Sequence, residues 1–162
     1  RLLIVGVGEV TRYLVSMAKA VDFSVTVCDP RSDVIKRSGF EALGLELHNC
    51  LPDDLVLEKF NDEYSAIVTL AHDPRVDDMA LMEALKSNAF YVGAMGSIKT
   101  TQARLVRLAS LGLRKSNLSR LHAPIGLAIN SKTPAEIAIS IISELVKCRD
   151  LHVNLISSLD VL

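Results

Sequence analysis

The sequence predicts a doubly wound α/β domain: a mainly parallel sheet with helices on both faces. Three observations carry the prediction. Short, uninterrupted apolar runs alternate with segments of helical period, the pattern of strands buried on both sides of a parallel sheet. The first run ends in a glycine turn, VGVGEV, that opens directly into a helical pattern. Of the 162 residues, 49% are hydrophobic, which suffices for one domain with a sizeable core.

The elements follow in order. Residues 2–5 form the first strand. Residues 9–21 form a helix, because Val10, Tyr13, Leu14, Met17, Ala18 and Val21 recur at i, i+3 and i+4. Residues 24–28, SVTVC, are rich in β-branched side chains and form the second strand. A short helix over 31–38 stops at Gly39. Residues 43–47 are a weaker third strand, and 52–59 a helical turn. Residues 65–71, SAIVTLA, give the strongest buried strand. A helix over 74–86 follows, with proline tolerated in its first turn. Residues 89–92 are the next strand, and Ser97 is placed to cap a helix reaching Leu111. The polar stretch 112–119 holds a short helical turn at most, and 122–126 a loop or short strand. Thr133-Pro134-Ala135-Glu136 combines an N-cap threonine, a first-turn proline and a glutamate, a capping box for a helix to about Arg149. The domain thus spans 1–149, and the natural strand order is 3-2-1-4-5. The apolar tail, 150–162, is expected to pack on its own domain or on a second subunit, which makes a homodimer one expected assembly.

Composition narrows the function. The net charge is −1, aromatic residues are 4%, and Lys and Arg are scattered, so no nucleic-acid surface is expected. No apolar run approaches the ~18 residues of a membrane span, and the first breaks at a glycine turn, unlike a signal peptide. Cys28, Cys50 and Cys148 are dispersed, which argues against a disulfide framework and a Cys-x-x-Cys zinc site. Cys28 reads as a small buried hydrophobe, in keeping with a reducing cytoplasm. The chain opens with Arg1 directly before a core strand, as expected of a piece of a longer protein.

The first turn is the leading candidate site. Gly6 permits a tight turn, and Gly8 lets a phosphate approach the backbone at a helix N-terminus. Glu9 and Val10 belong to the same turn. A dinucleotide fingerprint wants a small third residue where this chain has Thr11, which implies slightly looser packing of helix on strand. Asp29 ends the second strand, where an acid binds ribose hydroxyls or caps the following short helix. This context is Rossmann-like. Arg31 is placed to meet a phosphate, to pair with Asp29, or to stay solvated. His72 and Asp73 follow the strongest strand, at the edge where ligands bind in a parallel sheet; they suit acid–base or metal chemistry, or Asp73 simply caps the helix. Gly93, Gly96 and Ser97 repeat the mechanics of the first turn, as a second anion site or as plain capping. His122 and Gly126 sit in a similar position one unit later. A metal would need a third ligand that the pattern does not supply. His48 and His152 have no polar company in sequence and are expected at the surface. There is no Tyr-x-x-x-Lys pair, no Gly-x-Ser-x-Gly elbow and no Walker loop, so no catalytic set assembles.

The blocks VGVGEV…VTVCDPR, AHDPRVDD, FYVGAMGSIKTTQARLVRL and HAPIGLAINSKTPAEIAISI, in this order and spacing, resemble the C-terminal Rossmann domain of the XdhC/CoxI family. These are accessory proteins that mature xanthine dehydrogenase and carbon monoxide dehydrogenase. The resemblance implies a chaperone without turnover. It binds the molybdenum cofactor, molybdopterin or its dinucleotide, and delivers it to an apo molybdenum hydroxylase of the xanthine dehydrogenase type. It places the cofactor contacts on Gly6, Gly8, Glu9, Val10, Asp29, Arg31, His72, Asp73, Gly93, Gly96, Ser97, His122 and Gly126. The chain departs from the family at Ala71, where a threonine is common, and at Ala128, where a carboxylate is common. The family's N-terminal domain is not in this sequence. An NAD(P)-dependent oxidoreductase and a dinucleotide-sensing regulatory domain are the alternatives.

Overall fold

A computed structural model of the protein describes residues 1–159, without the side chains of Glu41, Leu43 and residues 155–159. The strands are β1 (Leu2–Val5), β2 (Val25–Cys28), β3 (Glu46–His48), β4 (Ala66–Thr69), β5 (Tyr91–Ala94) and β6 (Leu121–His122). The helices are α1 (Glu9–Ala20), α2 (Ser32–Ser38), α3 (Pro52–Lys59), α4 (Pro74–Ala84), α5 (Ile98–Ser110), α6 (Lys115–Leu118) and α7 (Pro134–Leu159). The strands form one sheet in the order β3-β2-β1-β4-β5-β6. Every neighbouring pair is parallel. The doubly wound α/β architecture is therefore as expected, with one further strand at the β5 edge.

All residues of β1, β2, β4 and β5 are buried. Alternate side chains serve opposite faces, since successive Cβ atoms in a strand point to opposite sides. Leu2 and Ile4 pack with Leu14 and Ala18 of α1 and Ile141 and Leu145 of α7. Leu3 and Val5 pack on the other face with Val56 of α3, Leu81 of α4 and Leu108 of α5. Because all strands run the same way, their carboxyl ends share one edge. The winding reverses between β1 and β4, and this crevice is where such sheets bind ligands.

Three differences from the expected elements stand out. The third strand begins at Glu46, because Phe40–Leu43 form a 3-10 turn. α7 starts at the expected capping box, where the Thr133 N–H donates to Glu136 Oε2 at 3.0 Å, but continues past Arg149 to Leu159. The two histidines expected at the surface both have partners. His152 stacks on Phe90 at 5.5 Å, and His48 Nε2 lies 2.8 Å from Glu46 Oε1. Among the described residues, no helix is long and apolar enough to cross a membrane.

Candidate functional site

The turn after β1 is built against β4. Gly6 has φ +107°, and a Cβ there would fall 2.4 Å from the backbone of Ala71, so only glycine fits. Thr11 is fully buried, and its hydroxyl donates to the Gly6 carbonyl at 2.7 Å. The expected looser packing is thus replaced by a hydrogen bond that fastens helix to turn. Gly8 precedes α1 in an extended conformation, and a Cβ there would meet nothing within 4 Å. No side chain caps α1. Its first N–H groups sit at the positive end of the helix dipole, where an anion is favoured.

Asp29 fixes the same turn from the end of β2. Its carboxylate has no exposed surface. Oδ2 accepts from the Val7 N–H at 2.9 Å and from Arg31 Nη2 at 2.7 Å. Oδ1 accepts from the Arg31 N–H at 3.0 Å and from Nε at 2.9 Å. Four donors fill the carboxylate's four acceptor sites. Burial pushes the Asp29 pKa up, but the hydrogen bonds from Arg31 and Val7 outweigh it and hold the carboxyl below its usual range. The carboxylate expected on a ribose is thus engaged inside the protein. Arg31 takes the pairing role among those open to it, and its Nη1 also lies 3.4 Å from the Ala71 carbonyl.

Two clefts open along the carboxyl edge. The first, about 410 Å³, is lined by Val7, Gly8, Glu9, Arg12, Arg37 and Phe40, among others. Arg12 lies over the Phe40 ring at 4.9 Å and donates to the Ser38 carbonyl at 2.6 Å. Val10 turns its side chain into the core, so only its backbone faces this region. The second cleft, about 440 Å³, lies between the loops after β4 and β5; His72, Asp77, Met95, Ser97, Arg104 and Ile137 are on its lining.

His72 is exposed, with φ +55°, a conformation uncommon for a non-glycine residue. Asp73 caps α4 by accepting the Arg75 N–H at 3.0 Å, the plainer of its two readings. Its pKa is lowered chiefly by the Arg75 side chain. Ser97 and Thr100 cap α5 reciprocally. Thr100 N–H donates to Ser97 Oγ at 3.1 Å, and Ser97 N–H to Thr100 Oγ1 at 2.8 Å. A Cβ at Gly93 would fall 2.6 Å from Ile125 Cδ1, and one at Gly96 2.6 Å from Thr100 Oγ1. The second turn therefore fills part of its own helix N-terminus.

A buried ionic network holds the second cleft, and sequence reasoning missed it. Asp77 Oδ1 accepts the Ala71 N–H at 3.1 Å, and Oδ2 accepts Arg104 Nη2 at 3.2 Å. Arg104 also donates Nε to Asp78 at 3.2 Å and Nη1 to the Met95 carbonyl at 3.1 Å. Arg107 Nε completes the Asp78 pair at 2.8 Å. Burial raises the Asp77 pKa to about 6, against the opposing pull of the Ala71 N–H and Arg104. The available signal was Asp77 itself, which shares an i, i+3, i+4 stripe with Ala80 and Leu81.

His122 belongs to a third group and does not line the second cleft. Its Nδ1 lies 3.1 Å from Glu144 Oε1, and its ring stacks on Tyr91 at 4.5 Å. Glu144 Oε2 also accepts the Tyr91 hydroxyl at 2.6 Å and the Gly126 N–H at 2.8 Å. Burial raises the Glu144 pKa, but His122, Tyr91 and Gly126 together hold it below the usual range. Gly126 has φ +94°, and a Cβ there would fall 2.3 Å from Ser140 Oγ of α7. Glu144 too was missed, since a glutamate on a long helix reads as a solvated face. Among the described residues, no group of three or more His, Cys, Asp or Glu side chains could hold a metal ion.

Comparison with known proteins fits this geometry. Residues 2–145 match the family model of the XdhC Rossmann domain. The chain is 29% identical over 149 residues to a probable xanthine dehydrogenase subunit of Bacillus subtilis (strain 168), covering 92% of this chain and 43% of that protein. It is 30% identical over 88 residues to the molybdenum cofactor insertion chaperone PaoD of Escherichia coli (strain K12), covering 54% of this chain and 28% of that protein. A solved structure of a xanthine dehydrogenase from Bacillus halodurans matches with a TM-score of 0.75 and 27% identity, over 93% of this chain and 42% of that one. The chain spans less than half the length of the curated relatives it matches. With the match running from β1 into α7, the chain belongs to the XdhC family, and residues 2–145 are its Rossmann domain.

Proposed function

We propose that this domain binds the molybdenum cofactor, molybdopterin or its nucleotide form, and passes it to an apo hydroxylase of the xanthine dehydrogenase type without turnover of its own. One observation carries the reading: at the crevice between β1 and β4, α1 begins without a side-chain cap at an unobstructed Gly8, whereas Asp73 caps α4 on the other side. The donor set suits a phosphorylated ring system. The backbone N–H groups from Gly8 to Val10 and the guanidinium group of Arg12 take the phosphate, Arg37 being already paired with Asp33, and Val7, Val34 and Phe40 offer an apolar wall. When bound, the cofactor carries the metal centre that the client enzyme uses. The residues of this chain hold and orient its organic part.

The names of the relatives support a maturation role. The filled Asp29 carboxylate offers no free acceptor to a ribose, whether of a nicotinamide dinucleotide or of the cofactor's nucleotide form, and so favours bare molybdopterin. His72 and Ser97, across the second cleft, are the remaining contacts in this proposal. Gly93, Gly96, His122 and Gly126 shape the loops that carry them.

Anaerobic calorimetric titration with molybdenum cofactor, with CMP and GMP, and with NAD(H) tests the proposal. Binding of the cofactor without a response to NAD(H) is expected. Binding of NAD(H) alone would overturn it in favour of an oxidoreductase or a dinucleotide sensor.

A further inference from the structure

Cys28 closes β2 and is fully buried. Cys50 stands two residues beyond β3 and is partly exposed. The two sulfurs, remote in sequence, are 3.8 Å apart. The Cys28 thiol also lies 3.3 Å from the Cys50 carbonyl oxygen, to which it donates. The surrounding backbone fixes this meeting. The Asp29 N–H donates to the His48 carbonyl at 3.1 Å, and Asn49 Nδ2 donates to the Asp29 carbonyl at 2.9 Å. Residues 29–49 carry α2 and the turn after it, and so contribute Val34, Arg37, Ser38 and Phe40 to the first cleft.

We propose that Cys28 and Cys50 are an oxidisable dithiol, converted by a low-molecular-weight disulfide into an intramolecular disulfide. The bond needs the sulfurs to approach to about 2 Å. Cys50 is free to make that approach, since it follows β3 and belongs to no strand. Cys50 is also the more exposed of the two residues. Its thiolate attacks one sulfur of the reagent, breaking the reagent's S–S bond and releasing one thiol. The Cys28 sulfur then attacks Cys50 Sγ in the mixed disulfide, and the Cys28 proton leaves with the second reagent thiol. Two protein thiols are oxidised, and one reagent disulfide is reduced to two thiols. Burial, with Cys50 and Asp29 alongside, pushes the Cys28 thiol up, so Cys28 does not start the reaction; its place 3.8 Å from the Cys50 sulfur makes it the resolving partner. The cross-link closes residues 29–49 into a loop and ties down the outer wall of the first cleft. That last consequence rests on the proposed cofactor site; the chemistry at sulfur does not.

The test uses the chain treated with oxidised glutathione, then quenched and unfolded for thiol counting and peptide mapping. Reactive thiols should fall from the three free cysteines to one, with mass lost as two hydrogens and a Cys28–Cys50 linked peptide. Cys50→Ser should abolish the link and leave Cys28 unmodified. Cys28→Ala should trap glutathione on Cys50. A lasting glutathione adduct on Cys50 in the unaltered chain, a link to Cys148, a linked dimer, or no reaction would each overturn the proposal. If the core substitution Cys28→Ala prevents folding, the variant Cys50→Ser at the partly exposed position still decides it.

Discussion

Arg31 grips Asp29 with two parallel hydrogen bonds, Nε to Oδ1 at 2.9 Å and Nη2 to Oδ2 at 2.7 Å. The pair joins the end of β2 to the first glycine turn, because the same carboxylate holds the Val7 N–H. Asp29→Ala leaves three N–H groups of Arg31 and one of Val7 without their acceptor. Breaking a buried pair from one side costs about 3 kcal/mol, read as a lower urea midpoint. Because no carboxylate lone pair faces a ligand, the ratio of affinities for a nucleotide-bearing and a bare phosphopterin should stay unchanged. A selective loss of the nucleotide form would restore a ribose role. The folded carboxyl lies below its usual pKa, so the stability it contributes is present above the unfolded value of 3.8 and is lost as the pH falls through the folded one.

Gly6 and Gly8 should separate folding from binding. Gly6→Ala drives a Cβ into Ala71 at φ +107°, and a loss of 3 kcal/mol or more, roughly the scale of a strained and clashing site, is expected. Gly8→Ala meets no atom and no forbidden φ, so the midpoint should move by less than about 0.5 kcal/mol. Under the proposed function, the same Gly8→Ala protein loses about tenfold or more in cofactor affinity, roughly one strong hydrogen bond to a charged group. Unchanged affinity by calorimetry would move the phosphate elsewhere.

Thr11 tests the turn from the helix side. Thr11→Val keeps the shape but removes the donor to the Gly6 carbonyl, at a cost of about 1 kcal/mol. Thr11→Gly also removes buried carbon and places glycine inside α1, so its cost should be about twice as large. Thr11→Ser should retain most of the stability. Denaturant midpoints for the three variants give the order directly.

Asp77 predicts a pH dependence of opposite sign to that of Asp29. Its carboxyl is raised from 3.8 to about 6, so the folded chain binds that proton more tightly than the unfolded chain. The contribution is full below 3.8 and is lost as the pH rises through 6, by an amount on the order of 2–3 kcal/mol. Asp77→Asn removes this titration. Thermal unfolding at pH 4.5 and pH 7.5 should therefore show a smaller difference in the variant than in the unaltered chain. Equal differences in the two proteins would show that Arg104 keeps Asp77 ionised throughout.

How legible the protein was in its sequence depended on where each partner lay in the chain. β1 and β4 read clearly as LLIV and AIVT because a strand buried on both faces has no polar alternation to blur it. The start of α7 was legible because Thr133 and Glu136 are three residues apart, but its continuation was not. Leu151 and Val153 read as part of an apolar tail, but they lie exposed on the helix and so mark no buried helical stripe. At the site, Gly6 was legible because a tight strand-to-helix turn demands it, and Gly8 because the phosphate-binding pattern asks for a glycine there. Asp77 with Arg104, Tyr91 with Glu144, and Cys28 with Cys50 were not. Each partner looks ordinary in its own segment, and only the crossover topology brings the pairs together.

The contacts from Gly6 to Ala71, from Ala71 to Asp77, from Asp77 to Arg104 and from Arg104 to Met95 form one unbroken succession along the rim of the sheet. Its consequence is mechanical. A residue that shortens Arg104 would release both Asp77 and Met95, so the loops after β1, β4 and β5 are braced as one rim and loosen together.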